Sequence, residues 1–295
     1  MPEESKKDRR EHAREIARLM REEQKKKRRR NRIIVQVSVV LGAVAVAAII
    51  ALVVTTSIKP SVPGPLNMAS DGILLQGDGT GEIVAVPTDA IPIDGEPTAT
   101  DQTAYPDTVN IVLYVDYFCP ICGAFEAANA EQIGTWVSQG LATVEYHPIS
   151  ILDRASLGTK YSTRSAAAAA CVANYEPDSF FQVSTALFAN QPEESTEGLT
   201  NEELASIVAQ AGVTNVNVAS CITDGTFEQW VTEATQRTSD GPIPNSELDR
   251  ISGTPTVIVN GQQYEGDVAD AAAFSDFVNN IGAALAPAPT ETPVP

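Results

Sequence analysis

Basic residues are scarce in most of the chain. Only 6 of its 20 lysines and arginines lie beyond residue 32, and 31 acidic residues share that region with them. Because binding to a polyanion needs a positive surface, this imbalance excludes nucleic acid as a partner and indicates a soluble, self-repelling surface. Residues 1–32 instead hold 14 basic and 7 acidic residues. The two parts of the chain therefore carry opposite charge, and we expect them to lie in two compartments.

Only one apolar run in the sequence is long enough to cross a membrane. Residues 33–54 contain no charge and have only Gln36 and Ser38 as polar side chains. A helix of about 20 residues crosses the hydrocarbon core, and the basic residues before it favour a cytoplasmic N-terminus. We therefore predict a basic cytoplasmic segment over 1–32, a single transmembrane helix over 33–55 in the cell membrane, and an extracytoplasmic remainder.

Two alternatives concern this N-terminal region. A cleaved signal peptide is the rival to an anchor, but its apolar part usually has about 7–15 residues. The basic segment either lies as a helix on anionic lipid or acts only as a topology signal.

Histidine is nearly absent, with His12 and His147 as the two examples. His12 lies on the predicted cytoplasmic side, and His147 lies in a strand-like segment where a structural role is expected. A hydrolase that pairs a cysteine with a histidine is therefore not expected.

Cysteines number four, and all lie on the predicted extracytoplasmic side, where disulfides persist. Cys119 and Cys122 form a CPIC motif within YVDYFCPICGAFE, residues 114–126, whereas Cys171 and Cys221 stand alone. A zinc site usually has a second short-spaced pair, which this sequence lacks. Neither a metal nor another cofactor is therefore expected.

The patterns along the chain predict an α/β domain between two irregular ends. Residues 56–107 are predicted to be an extracytoplasmic linker with a short hairpin near 72–86, and the proline-rich tail 286–295 is predicted to be disordered. The predicted order in between is a buried strand (108–116), a helix (120–140), a strand (141–152), several helices, a strand and Asn-Gly hairpin (251–266), and a last helix (271–285).

The CPIC motif meets the requirements of thiol–disulfide exchange. Cys119 precedes the predicted helix, where free N–H groups and the helix dipole stabilise a thiolate. Cys122 follows one turn later on the same face, so the two sulfurs can form a disulfide. Pro120 fits the first helical turn, where its missing N–H has no cost.

The segment GTPTVIVNG, residues 253–261, adds a second signal because a proline at the start of a central strand cannot donate to the sheet. Together with DYFCPIC and GAFE, it resembles the DsbA-like family of the thioredoxin superfamily, which are extracytoplasmic disulfide oxidoreductases with membrane-anchored members in actinomycete-type bacteria. The resemblance covers residues 108–285. It implies a thioredoxin fold with a helical insertion, at about 155–245, between the second strand and a cis-proline strand.

The resemblance also implies roles for individual residues. Cys119 would form the mixed disulfide with a client and Cys122 would resolve it, while Thr254 and cis-Pro255 would face the pair and offer backbone groups to a peptide. DsbA has a histidine where this sequence has Ile121. The helix dipole alone would then bring the pKa of Cys119 to about 7. We therefore expect a potential between about −270 and −120 mV.

Other residues near the motif keep two interpretations each. Asp116 either passes protons to Cys122 or is a solvated carboxylate at the strand end. Tyr117 and Phe118 either form an apolar lip for unfolded clients or pack in the core. If Cys119 pairs with Cys122, then Cys171 and Cys221 remain for a structural disulfide, with an electron relay as the alternative.

The predicted function is an enzyme that forms disulfides in exported proteins bearing thiols. A membrane quinone-linked oxidase or another redox partner would recharge it. A reductase or isomerase of the same class is one alternative. A redox-silent peptide-binding adaptor or a metal-binding protein is the alternative from another class.

Overall fold

The computed structural model describes residues 6–57 and 62–285. The chain divides into two units, Met1–Pro60 and Ser61–Pro295. In the first unit, one continuous helix, α1 (Lys6–Ser57), contains both the basic and the apolar residues, which sequence analysis treats as separate segments. No proline interrupts this stretch, so the helix continues through the change in composition. Its part Arg14–Ala48 is long and apolar enough to cross a membrane, a property that signal sequences share.

The second unit is built on a six-stranded mixed sheet, which confirms the predicted α/β class. The strands are β1 (Ile73–Gly77), β2 (Ile83–Ala85), β3 (Val109–Val115), β4 (Ala142–Pro148), β5 (Thr256–Val259) and β6 (Gln262–Gln263). Their order across the sheet is β2-β1-β4-β3-β5-β6. The central strands β3 and β4 are parallel, and β5 runs antiparallel to β3. Because β3 has neighbours on both edges and packed layers on both faces, its sequence is apolar nearly throughout.

Helices surround this sheet and carry most of the core. They are α2 (Pro120–Ser138), α3 (Tyr161–Tyr175), α4 (Phe180–Ala189), α5 (Asn201–Gln210), α6 (Val216–Asp224), α7 (Glu228–Asp240) and α8 (Ala271–Leu285). Helix α2 connects β3 to β4 and packs on α8 through the edge-to-face pair Phe125 and Phe274. Helices α3–α7 follow β4 and precede β5, as the predicted insertion requires. Among them, α3 is buried along almost its whole length, since its run of alanines allows close packing.

The hairpin near residues 72–86 corrects the expectation of a linker. Strand β1 pairs with β2 on one side and with β4 on the other, so the hairpin extends the central sheet. Ile73 and Leu75 are almost fully buried, which explains why the segment cannot remain a spacer. Residues 62–107 therefore belong to the folded unit. The predicted tail 286–295 lies outside the described residues.

A second, smaller apolar cluster covers the opposite face of the sheet, where Tyr114, Ile243 and Ile258 meet. His147 lies on this face, stacked on the Tyr114 ring at 4.4 Å between centroids. Its Nε2 is 3.4 Å from a carboxylate oxygen of the buried Glu145. These contacts support the structural role predicted for His147.

Candidate active site

The N-terminus of α2 holds the CPIC motif. Cys119 is the residue that precedes the helix, with an extended backbone (φ −79°, ψ 115°), and Pro120 occupies the first turn. The Gly123 N–H donates to the Cys119 carbonyl at 3.1 Å and so begins the helical hydrogen bonding. The Cys119 side chain consequently lies beside the unpaired N–H groups of the first turn.

The two sulfurs of the motif are both free thiols but differ strongly in their acidity. A hydrogen bond from the Cys122 thiol, helped by the Thr254 hydroxyl and by backbone N–H groups of the first turn, lowers the pKa of Cys119 from 9.0 to about 6. Burial raises the pKa of Cys122 well above its ordinary value. At neutral pH, Cys119 is therefore the thiolate and Cys122 the protonated thiol.

Thr254 and Pro255 lie opposite Cys119 although 135 residues separate them along the chain. The antiparallel register of β3 and β5, with Tyr114 opposite Thr256, brings the two segments together. The Thr254–Pro255 peptide bond is cis. The Cys119 sulfur lies 3.2 Å from the Thr254 carbonyl oxygen, to which it donates a hydrogen bond when protonated. The Thr254 hydroxyl is buried and, within the described part of the chain, makes no hydrogen bond while Cys119 is a thiol, so it can turn toward the sulfur when Cys119 becomes a thiolate.

Asp116 is fully buried, so its interpretation as a solvated carboxylate is wrong. Its two carboxylate oxygens accept hydrogen bonds from the N–H groups of Phe118 at 2.9 Å and Leu152 at 3.0 Å. Burial nevertheless raises the pKa of Asp116 to about 7. The carboxyl group can therefore exchange a proton near neutral pH.

Phe118 and its neighbour Tyr117 are both fully buried, so the interpretation as an apolar lip is wrong. The Phe118 ring packs edge to face on Tyr161, at 5.1 Å between centroids. The Tyr117 hydroxyl donates to Ser184 Oγ at 3.1 Å. Ile121, by contrast, is an exposed apolar residue beside Cys119, with 55% of its surface accessible.

Two polar residues near the motif have contacts that the sequence does not predict. Glu126, one turn beyond Cys122 on α2, is buried, and burial raises its pKa to about 7 although the Thr185 hydroxyl donates to it at 2.8 Å. Gln191, just after α4, donates to backbone carbonyls of the motif. No local pattern marks either residue, because both contacts depend on the packing of α4 against α2.

Cys171 and Cys221 form a disulfide that joins α3 to α6, with 5.8 Å between their Cα atoms. Both residues are buried. Since their sulfurs are bonded to each other, they cannot join Cys119 and Cys122 as four thiolate ligands of zinc. Within residues 6–57 and 62–285, no group of three His, Cys, Asp or Glu side chains could hold a metal ion.

The redox domain matches a known protein family and part of a curated protein. A family model described as thioredoxin matches residues 106–280. The serine/threonine-protein kinase PknE of Mycobacterium tuberculosis is 35% identical over 124 residues, which represent 41% of this chain but only 21% of the kinase. This chain therefore spans about a fifth of that relative's length.

Solved structures with a similar fold include oxidised DsbA from Mycobacterium tuberculosis. It is 25% identical and has a TM-score of 0.50, and the match covers 71% of this chain and 98% of that one. A reduced disulfide bond oxidoreductase, DsbG, from the same organism is 30% identical with a TM-score of 0.49, and the match covers 59% of this chain and 77% of that one.

Proposed function

Since the chain belongs to the thioredoxin family and has a DsbA-like fold, we propose that it is an extracytoplasmic thiol–disulfide oxidoreductase that forms disulfides in exported proteins. Cys119 and Cys122 form the redox pair. The observation that carries the proposal is the asymmetry of the two sulfurs, with one pKa lowered to about 6 and the other raised. This asymmetry supports a division into an exchanging and a resolving cysteine.

In the oxidised protein, a client thiolate attacks Cys119 Sγ and breaks the Cys119–Cys122 bond. Cys122 leaves with the electron pair and takes up a proton. A second client thiolate then attacks the client sulfur of the mixed disulfide, and Cys119 leaves as a thiolate. The client has lost two electrons and gained a disulfide, and the redox pair has gained the two electrons. The lowered pKa of Cys119 favours this last step because an acidic thiol is the better leaving group.

Three neighbouring residues support these steps. The Thr254 backbone beside cis-Pro255 would hold an extended client chain, a role that is supported by the 3.2 Å between its carbonyl oxygen and the Cys119 sulfur. The buried Asp116 is the proposed proton donor to Cys122. Its carboxyl pKa of about 7 allows it to hold and release a proton at neutral pH.

Location and partners complete the proposal. Helix α1 would anchor the protein in the cell membrane, with the basic residues in the cytoplasm and the redox pair outside. The clients would be exported proteins that carry free thiols. A membrane quinone-linked oxidase, or another redox partner, would take the two electrons from the reduced pair and restore the disulfide.

The reduction potential of the Cys119–Cys122 pair tests the direction of electron flow. Equilibration in glutathione buffers, with Cys119→Ser as the control, should give a value above about −270 mV, the thioredoxin value, because a stabilised Cys119 thiolate favours the reduced form. A value below about −270 mV would support a reductase instead. That second candidate is favoured by Ile121, since this residue cannot stabilise the thiolate as a histidine would.

Exchange with a client is tested by trapping. In Cys122→Ser, Cys119 is first converted to a mixed disulfide with thionitrobenzoate. The thiol of a reduced, unfolded client with a single cysteine then displaces thionitrobenzoate from Cys119, and the Cys119–client disulfide should accumulate because the resolving thiol is missing. Cys119→Ser should trap no client. If neither wild type nor Cys122→Ser reacts with client thiols, the domain is a redox-silent adaptor.

A further inference from the structure

Gln191 connects the helical insertion to the backbone of the redox motif. It lies two residues after the end of α4. Its side-chain nitrogen Nε2 donates to the Cys119 carbonyl at 2.9 Å and to the Tyr117 carbonyl at 3.0 Å. One carboxamide therefore binds the chain on both sides of Phe118, immediately before α2 begins.

The orientation of this carboxamide is fixed by its surroundings. Two carbonyl oxygens face one end of the group, and only the NH₂ end can donate to them. The other end, Oε1, faces Gly123, where an added Cβ atom would collide with it. The absence of a side chain at residue 123 therefore makes room for the carboxamide.

Helix α4 makes further polar contacts with the same region. Ser184 accepts from the Tyr117 hydroxyl at 3.1 Å, and the Thr185 hydroxyl donates to Glu126 at 2.8 Å. These two bonds join side chain to side chain. Gln191 differs because it holds the main chain of Cys119 itself, and the main chain determines where the sulfur points.

We propose that Gln191 is a positioning residue for the nucleophile, which holds residues 117–119 so that the Cys119 sulfur stays beside the N–H groups of the first turn of α2. Loss of the carboxamide frees this segment, and the sulfur leaves the groups that stabilise its thiolate. The inference deepens the proposed function and rests on it for its biological meaning.

Gln191→Met tests the proposal, because methionine has nearly the same length but cannot donate. The matched control is Asn190→Met, which makes the neighbouring change at an exposed residue whose side-chain amide donates to the Ala186 carbonyl of α4 at 2.9 Å. In the reduced proteins, we expect alkylation of Cys119 by iodoacetamide at pH 6 to fall about fivefold in Gln191→Met, as a pKa rise of about one unit would produce. Asn190→Met should keep the wild-type rate.

Gly123→Ala provides a second test that does not depend on the stability of Gln191→Met. Alanine favours the helix, but its Cβ atom would displace the carboxamide. The alkylation rate should fall in Gly123→Ala and should fall no further when Gln191→Met is added. Wild-type alkylation rates in folded Gln191→Met would overturn the proposal. It would also be overturned if Gly123→Ala lowered the rate as much in the Gln191→Met background as it does in the wild type.

The experiments distinguish a failure of the proposed function from a failure of the role given to Gln191. Alkylation needs no client, so it reports the position of the thiolate alone. If the wild type fails to oxidise client thiols but the alkylation rates follow the expected pattern, the function is wrong and the role of Gln191 stands. If clients are oxidised and the rates are unchanged, only the role of Gln191 is wrong.

Discussion

At the scale of single residues, the two cysteines of the motif lie one helical turn apart, yet the pKa of Cys119 is lowered and that of Cys122 is raised. From the sequence, the helix dipole alone would give Cys119 a pKa of about 7. In the folded protein the value is about 6, because Cys122 donates to the sulfur and Thr254 lies close to it. A CxxC spacing indicates that the two cysteines are near each other, but only the packing determines which sulfur is the thiolate, since both are buried.

Thr254→Val should raise the pKa of Cys119. Valine keeps the shape of threonine but removes the hydroxyl group that helps to stabilise the thiolate. Loss of one such hydrogen bond, worth about 1 kcal/mol, corresponds to a rise of roughly 0.7 units. The pH dependence of thiolate absorbance measures it, and Thr256→Val, on the adjoining strand residue, is the control. An unchanged titration would contradict the role given to the Thr254 hydroxyl.

Asp116→Asn should stabilise the protein above neutral pH. The pKa of Asp116 is raised from 3.8 to about 7 by folding, so the folded state binds this proton more tightly than the unfolded state. The stability that the protonated carboxyl contributes is complete below about pH 4 and is lost as the pH rises to 7. We expect the substitution to add about 2 to 3 kcal/mol at pH 8, after the loss of one hydrogen bond to a backbone N–H.

Urea denaturation of the wild type and Asp116→Asn at pH 4 and pH 8 measures this difference. The two proteins should differ little at pH 4, where the wild-type carboxyl is also uncharged. An equal difference at both pH values would mean that the substitution acts through packing and that Asp116 does not titrate near 7. Glu126→Gln serves as a parallel case, because burial raises that pKa to about 7 as well.

At the scale of helices and strands, the sequence predicted those elements whose residues carry their own signal. The apolar run of β3, the alanine run of α3 and the Asn260-Gly261 turn are examples, and the turn residues do adopt positive φ angles of 46° and 83°. The position of the β1–β2 hairpin was missed, because its partner is β4, with Leu75 opposite Val144. A register between distant segments leaves no local pattern. The same reason hid Gln191.

The disulfide between α3 and α6 offers a prediction at this scale. It closes a loop of 50 residues within the insertion. The double variant Cys171→Ala/Cys221→Ala should lose about 4 kcal/mol of unfolding free energy, because the unfolded chain gains the conformations that the bridge excludes. Denaturation with and without dithiothreitol measures the loss. Both proteins also carry Cys119→Ser and Cys122→Ser, so that the reductant acts on no other disulfide. The reductant should then destabilise the protein that keeps Cys171 and Cys221 and leave the variant without them unchanged, and equal stability of the two oxidised proteins would refute the expectation.

At the scale of the whole molecule, the charges divide the chain between a basic helix and an acidic folded unit. A cytoplasmic N-terminus can be tested with single cysteines introduced into a variant that lacks Cys119 and Cys122. A membrane-impermeant maleimide should label a cysteine at the exposed Thr80 in intact cells, and one at Asn31 only after permeabilisation. Labelling at position 31 in intact cells would reverse the topology. A mature protein that begins after residue 54 would show that α1 is a cleaved signal.

The hairpin of β1 and β2 also decides where a shortened version of this protein can begin. The family match starts at residue 106, but the edge of β4 is occupied by β1, and Arg237 of the insertion forms an ion pair with Asp71 at 2.6 Å. A polypeptide cut at the family boundary would leave that edge open and the arginine without its partner. Such a fragment should associate through its bare strand, so a well-behaved soluble version has to retain the residues from 62 onward.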